Sequence, residues 1–323
     1  MYTVDFDKPI HVHFIGMSGL AEILLDEGFQ VSGSDARESA LTRHLESLGA
    51  RVFYGQRPEN ILPGTDLAVY TAAIHPDNPE YAAAKAAGIP MLTRAELLGQ
   101  IMKNYRLPIA VAGTHGKTTT TSMASEILLE ARRDPTISVG GILPSIGGNI
   151  RVGGSETFIT EACEYTNSFL SFFPKIGIIL NMDADHLDFF KDIQDIRRSF
   201  RKFAELIPAD GTLIIDRDTP AWETVAEGLP CRVITYSLKE DADYTAREIQ
   251  FVQEGHPSFT AFRGSESLGR FSLKIPGRHN VSNALAAIAL ADLLGIKEDD
   301  VRRGFLRFHG ADRRFQYKGT FQG

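Results

Sequence analysis

Eight residues, Gly113-Thr114-His115-Gly116-Lys117-Thr118-Thr119-Thr120, constrain this chain more than any other stretch. They stand between a short apolar run at 109–112 and a segment at 121–131 that reads as a helix. A strand that runs into a glycine turn and then a helix curls its backbone N–H groups around an anion, and the positive end of the helix adds to the attraction. Lys117 is then placed to neutralise terminal phosphates, and Thr118 to offer a hydroxyl to Mg²⁺. The segment departs from the strict G-x-x-x-x-G-K-[ST] pattern, because Val111 holds the first glycine position. A solvated lysine in a chance turn is the bland alternative, and the flanking strand and helix argue against it. The expectation is that Gly113, Thr114, His115, Gly116, Lys117, Thr118 and Thr119 hold a nucleotide, ATP with Mg²⁺.

The rest of the chain supplies a frame for such a loop. Residues 9–15 alternate and end apolar, Gly16-Met17-Ser18-Gly19 turns the chain, and 20–27 reads as a helix. Further strands are expected at 29–32, 67–71 and 89–92, with helices at 42–48 and 78–87 closed by Gly49 and Gly88. Downstream come strands at 157–160, 176–180 and 212–215, a helix at 193–206, paired strands at 251–262 and 268–275, and an alanine- and leucine-rich helix at 280–294 closed by Gly295. Alternating strands and helices with short links predict parallel sheets covered on both faces. The fold expected is α/β: a Rossmann-like parallel-sheet domain over 1–105, then a P-loop NTPase-like α/β central domain over 106–312.

Composition narrows the function. A net charge of −7 offers no basic surface for nucleic acid. Two cysteines, Cys163 and Cys231, make no disulfide framework, and residues 1–9 lack the apolar core of a signal peptide. No apolar run is long enough to span a membrane, so a soluble, cytoplasmic protein is expected.

Four more motifs follow the phosphate loop in order: Glu161-Ala162-Cys163-Glu164; Asn181-Met182-Asp183-Ala184-Asp185-His186-Leu187-Asp188; Pro276-Gly277-Arg278-His279-Asn280-Val281-Ser282-Asn283; and Arg313-Arg314-Phe315. With the loop, they resemble the Mur ligase family, the ATP-dependent enzymes that build the peptide stem of peptidoglycan. The resemblance implies that Thr118, Glu161 and His186 hold metal, that Lys117, Glu161, His186 and Arg314 are catalytic, and that Asn280 and Asn283 lie near the adenine. It also implies joining of L-alanine to UDP-N-acetylmuramate through an acyl phosphate. Gly16, Ser18, Gly19, Ser34, Asp35, Thr71 and Ala72 would line the UDP-sugar cleft at the strand ends. The glycine turn at 16–19 is shorter than the family's usual loop, and 313–323 reads as the start of a truncated third domain, so the resemblance implies a fragment that binds its ligands but catalyses poorly, if at all.

Read alone, several of these residues have other uses. His186 could be a hydrogen-bonded core histidine, and Asp183, Asp185 and Asp188 could cap a helix. Asn280 and Asn283 lie on one helical face, which suits purine reading and capping alike. His115 could stabilise the loop or act electrostatically. Cys163, set between two glutamates, is not expected to be a nucleophile. Competing functions are a ligase that adds a recycled murein tripeptide to the same UDP-sugar, a non-catalytic nucleotide-binding module, and, from the Gly16-to-Asp35 unit alone, a dehydrogenase.

Overall fold

A computed structural model describes residues 2–310, apart from 240, 253 and 254. The chain divides into two compact units, Met1–Asn104 and Tyr105–Gly323.

The first unit is a five-stranded parallel sheet with strand order β3-β2-β1-β4-β5. Its elements run β1 (His11–Ile15), α1 (Leu20–Asp26), β2 (Gln30–Asp35), α2 (Ala40–Ser47), β3 (Arg51–Tyr54), β4 (Leu67–Tyr70), α3 (Pro79–Ala86), β5 (Met91–Thr93) and α4 (Arg94–Lys103). Local chemistry starts each later helix. Ser39 and Thr42 form a capping box on α2, Thr93 and Glu96 another on α4, and Asn78 caps α3 ahead of Pro79. Because β1 lies between β2 and β4, the chain leaves the carboxyl ends of β1 and β4 in opposite directions, opening the crevice where such sheets bind ligands. Gly16, at φ +85°, turns the chain there, and a Cβ on it would lie 3.7 Å from Thr71 Cγ2.

The second unit holds a ten-stranded sheet. In chain order come β6 (Leu107–Ala112), α5 (Lys117–Glu130), β7 (Thr136–Leu143), β8 (Gly148–Arg151), β9 (Thr157–Ala162), β10 (Ile176–Ile179), α6 (Ile193–Glu205), β11 (Thr212–Asp216), α7 (Glu223–Ala226), β12 (Arg232–Ser237), β13 (Tyr244–Phe251), β14 (Pro257–Arg263), β15 (Glu266–Ser272), α8 (Arg278–Leu293) and α9 (Glu298–Arg307). The strand order is β15-β14-β13-β12-β11-β10-β6-β9-β7-β8, parallel from β13 to β7 and antiparallel at both edges. The central strands are apolar on both faces, as burial on both sides requires: Ile109, Val111, Ile159, Ile178 and Ile214 are all inaccessible.

α5 and α8 pack side by side within this core, and α9 rests on α5. Gly304 of α9 permits that approach, since a Cβ there would sit 2.7 Å from the Ile127 Cα. Two sequence expectations shift. The helix after the loop begins at Lys117 rather than 121, and the strand expected at 251–262 begins only at Pro257, as β14, because Phe251 is the last residue of β13 and the chain turns at Gly255 (φ +73°) between them.

Candidate functional site

In the second unit, β6, β9 and β10 lie side by side, and the chemistry-bearing residues follow their carboxyl ends. Gly113 leaves β6 with φ +145°, where a Cβ would press 2.9 Å from the Leu180 Cβ, so no larger residue fits without displacing the strand-end loop after β10. Gly116, at φ +86°, is the N-cap of α5, a left-handed position that a side chain disfavours. Lys117 and Thr118 therefore begin the helix, and Thr119 completes its first turn.

Lys117 turns its ammonium back under the loop. Its Nζ donates to Gly113 O (2.5 Å) and Thr114 O (3.2 Å), and meets both carboxylate oxygens of Glu164 at 2.9 and 3.2 Å. The Glu164 side chain is 2% exposed and that of Lys117 15%. A carboxylate so buried needs a partner, and Lys117 provides the charge. The Thr118 hydroxyl donates to Glu161 Oε2 at 3.0 Å, while Gly140 N–H on β7 donates to Glu161 Oε1 at 2.5 Å. Gly140 is a close approach: a Cβ there would lie 2.9 Å from Glu161 Oε2.

Asn181 braces the loop from the β10 side. Its Oδ1 accepts from His115 N (2.7 Å) and its Nδ2 donates to His115 O (2.9 Å). Thr114 Oγ1 accepts from Asp183 N at 2.9 Å, and Thr114 N donates to Asn181 O. The His115 ring is exposed, 3.9 Å from Asp183 Oδ2. His186 takes the left-handed backbone region (φ +51°) and holds its Nε2 3.8 Å from Glu164 Oε1. Asp185 Oδ1 accepts from His186 N, and Asp188 Oδ2 accepts from the Tyr165 hydroxyl, so neither carboxylate caps α6; Asp192 does that.

α8 closes the loop from another direction. Asn280 Nδ2 donates to Pro276 O, and Asn283 Nδ2 donates to Asn280 Oδ1, leaving Asn283 Oδ1 against Gly116. Neither amide caps the helix, whose N-cap is Gly277. Ser282 donates to Asp216 Oδ2. Burial pushes the Asp216 carboxyl up to about 6, against the lowering effect of the bond from Asp218 N. Burial also pushes the Cys163 thiol up, which keeps it from the thiolate form.

The structure thus gathers Gly113, Thr114, Gly116, Lys117, Thr118, Glu161, His186 and Asn283 around one loop. Glu164 joins them; the motif from Glu161 to Glu164 is legible in the sequence, but the pairing of Glu164 with Lys117 is not. Arg314 lies outside the described residues. The donor set suits a small hard cation, with the carboxylates of Glu161 and Glu164 and the Thr118 hydroxyl close to Lys117. Among the described residues no three His, Cys, Asp or Glu side chains form a ready-made metal centre. A cation here would need phosphate oxygens to complete its shell, as Mg²⁺ usually does.

In the first unit, Gly16 and Thr71 adjoin across the crevice, with the exposed Ala72 next in line. Ser18 Oγ accepts from Leu20 N (3.3 Å) and from Arg94 Nε (3.1 Å), and Gly19 is the N-cap of α1. Arg94 was not singled out from sequence. Ser34 is fully buried and donates to Glu80 Oε2 at 2.6 Å, while Asp35 Oδ1 accepts from Ala36 N. Glu80 also accepts from Asn60 and faces His13 at 3.6 Å. Burial pushes the Glu80 carboxyl up, but the bonds from His13, Ser34 and Asn60 outweigh it and hold it low.

Comparison with known proteins agrees with this layout. Residues 11–106 match the model of the Mur ligase family, catalytic domain, and residues 111–291 that of the Mur ligase middle domain. The UDP-N-acetylmuramate–L-alanine ligase of Agathobacter rectalis is 61% identical over all of this chain and 72% of its own length. The ligase of that name from Caldanaerobacter subterraneus subsp. tengcongensis is 48% identical over 99% of this chain and 70% of its own. Among solved structures, the Thermotoga maritima UDP-N-acetylmuramate-alanine ligase superposes with a TM-score of 0.82 at 29% identity, covering 96% of this chain and 71% of that one. The Neisseria meningitidis ligase named for UDP-N-acetylmuramate and L-alanyl-γ-D-glutamyl-meso-diaminopimelate superposes at 0.81 with 26% identity, covering 95% and 99%. No helix among the described residues is long and apolar enough to cross a membrane. With a 61% identical relative matched over 72% of its length, and both family models in sequence order, this chain belongs to the Mur ligase family.

Proposed function

We propose that this chain binds ATP and UDP-N-acetylmuramate and serves the ATP-dependent joining of L-alanine to the muramoyl carboxylate. The observation that carries the reading is the Lys117, Thr118, Glu161 and Glu164 cluster at the loop, in a chain 61% identical to a ligase of that name.

The chemistry follows from the residues. The backbone from Gly113 to Lys117 and the positive end of α5 receive the phosphates. Lys117 exchanges part of its hold on Glu164 and the loop carbonyls for γ-phosphate oxygens, and it neutralises charge as the phosphoryl group moves to the carboxylate. Mg²⁺, held by Thr118 and Glu161, with His186 and Glu164 nearby, would supply further neutralisation. The acyl phosphate formed is then attacked by the L-alanine amine, releasing phosphate. Asn283 presents its Oδ1 beside the loop, a position from which an acceptor can meet the exocyclic amine of adenine. In the first unit the Gly16–Gly19 turn and the Thr71–Ala72 loop would take the UDP moiety, with Asp35 at the end of β2.

The test is phosphate release from ATP with UDP-N-acetylmuramate and either L-alanine or the murein tripeptide supplied. Release that requires both the sugar nucleotide and L-alanine is expected. Release that requires the tripeptide instead, or that ignores the sugar nucleotide, would overturn the reading.

A further inference from the structure

One aromatic side chain beside the loop stands outside the machinery described above. Tyr165 directly follows Glu164, the buried partner of Lys117. Its ring centroid lies 4.7 Å from the His186 imidazole at an interplanar angle of 37°, and its hydroxyl donates to Asp188 Oδ2 at 2.8 Å. Phe189 meets the same ring edge-on at 6.0 Å. A single side chain thus joins two segments that are distant in sequence, one ending in Glu164 and one carrying His186.

His186 needs such a partner. Its left-handed backbone is a region that non-glycine residues enter at a cost and hold only where the surroundings fix them. The Asp185 carboxylate accepts from its N–H, and its carbonyl accepts from the Phe189 and Phe190 N–H groups, so the backbone is held. Those bonds set the Cα–Cβ direction but leave the imidazole free to rotate about two torsions. The Tyr165 face blocks one side of that rotation and leaves Nε2 3.8 Å from Glu164 Oε1. The next two residues, Thr166 and Asn167, are also left-handed (φ +54° and +57°). Asn167 accepts a bond from Ser199 on α6, which ties the tyrosine segment to a helix.

We propose that Tyr165 is a positioning residue for His186: its ring fixes the plane of the imidazole, and its hydroxyl on Asp188 holds the histidine loop against the Glu164 segment. The inference rests on the reading of His186 as a group that faces a divalent cation beside the phosphates. Tyr165 itself touches neither. Its removal leaves His186 present but disoriented, so cation affinity falls while nucleotide affinity does not.

The experiment is Mn²⁺ binding, followed by electron paramagnetic resonance on this chain with the ATP analogue AMP-PNP bound. It is run on wild type, Tyr165→Ala, Tyr165→Phe, His186→Ala and the Tyr165→Ala/His186→Ala double variant. The expected result is a weakening of about tenfold for His186→Ala, in the range seen when groups supporting a metal site are lost. Tyr165→Ala should approach that loss, Tyr165→Phe should fall between it and wild type, and the double variant should be no weaker than His186→Ala alone. AMP-PNP affinity unchanged in all four variants, read without Mn²⁺, separates positioning from a folding defect. Wild-type Mn²⁺ affinity in Tyr165→Ala, with His186→Ala weakened, overturns the positioning role alone. Additive losses in the double variant also overturn it. Wild-type affinity in His186→Ala removes the cation reading beneath it and the proposal with it.

Discussion

Replacing Gly116 by alanine tests the loop geometry on numbers the structure supplies. The residue sits at φ +86°, and an added Cβ would lie 2.6 Å from Asn283 Oδ1. Holding an L side chain in left-handed backbone costs about 1–2 kcal/mol. The overlap is relieved only if Asn283 moves, and Asn283 is 7% exposed and bonded to Asn280 at 3.0 Å. Breaking that buried bond costs a further ~1–3 kcal/mol. The sum is about 2–5 kcal/mol, equivalent to a Tm drop of roughly 4–20 °C for a unit of this size. Urea unfolding of Gly116→Ala, Asn283→Ala and the double variant separates the two parts. In the double variant the overlap is gone, so its loss should be smaller than the sum of the singles by about 1–3 kcal/mol. A neutral Gly116→Ala, or strictly additive losses, would refute the contact between the loop and α8.

Other outcomes follow from the same structure. Lys117→Ala should abolish phosphoryl transfer and also destabilise the second unit by up to about 3–5 kcal/mol, because Glu164 loses its charge partner while 2% exposed; an unchanged urea midpoint would contradict the pair. Asp216 has a folded pKa raised to about 6 by burial, so the fold holds its proton more tightly than the unfolded chain. The stabilising effect of that proton is present below the unfolded value and is lost as pH rises towards 6, a difference of about 3 kcal/mol. Asp216→Asn should therefore stabilise the unit at pH 8 and change little at pH 4, and equal effects at both pH values would refute it. Gly304→Leu should cost about 1–3 kcal/mol by forcing α9 off Ile127, read by thermal unfolding.

What could be read from sequence was what local chemistry determines. The phosphate loop declared itself because a strand, a glycine turn and a helix must be contiguous to bind an anion, and β6 and α5 flank it. The helix start was placed four residues late because a run of threonines has poor helix propensity, which the Gly116 turn and tertiary packing override. Glu164 and Tyr165 were harder to place. Their partners Lys117 and Asp188 are 47 and 23 residues away, and only strand order brings them together. The buried Glu80, with His13, Ser34 and Asn60, left no signature for the same reason. A histidine in an apolar strand and a glutamate after Asn-Pro look ordinary until β1, β2 and α3 are assembled.

Whether this chain takes a UDP-sugar and ATP together is measured most directly by calorimetric titration of UDP-N-acetylmuramate into it, with Mg²⁺ and AMP-PNP present. Saturable binding at one site, abolished by UDP in excess, is the result predicted. AMP-PNP binding without any heat from the sugar nucleotide would contradict it and leave a nucleotide-binding module in its place.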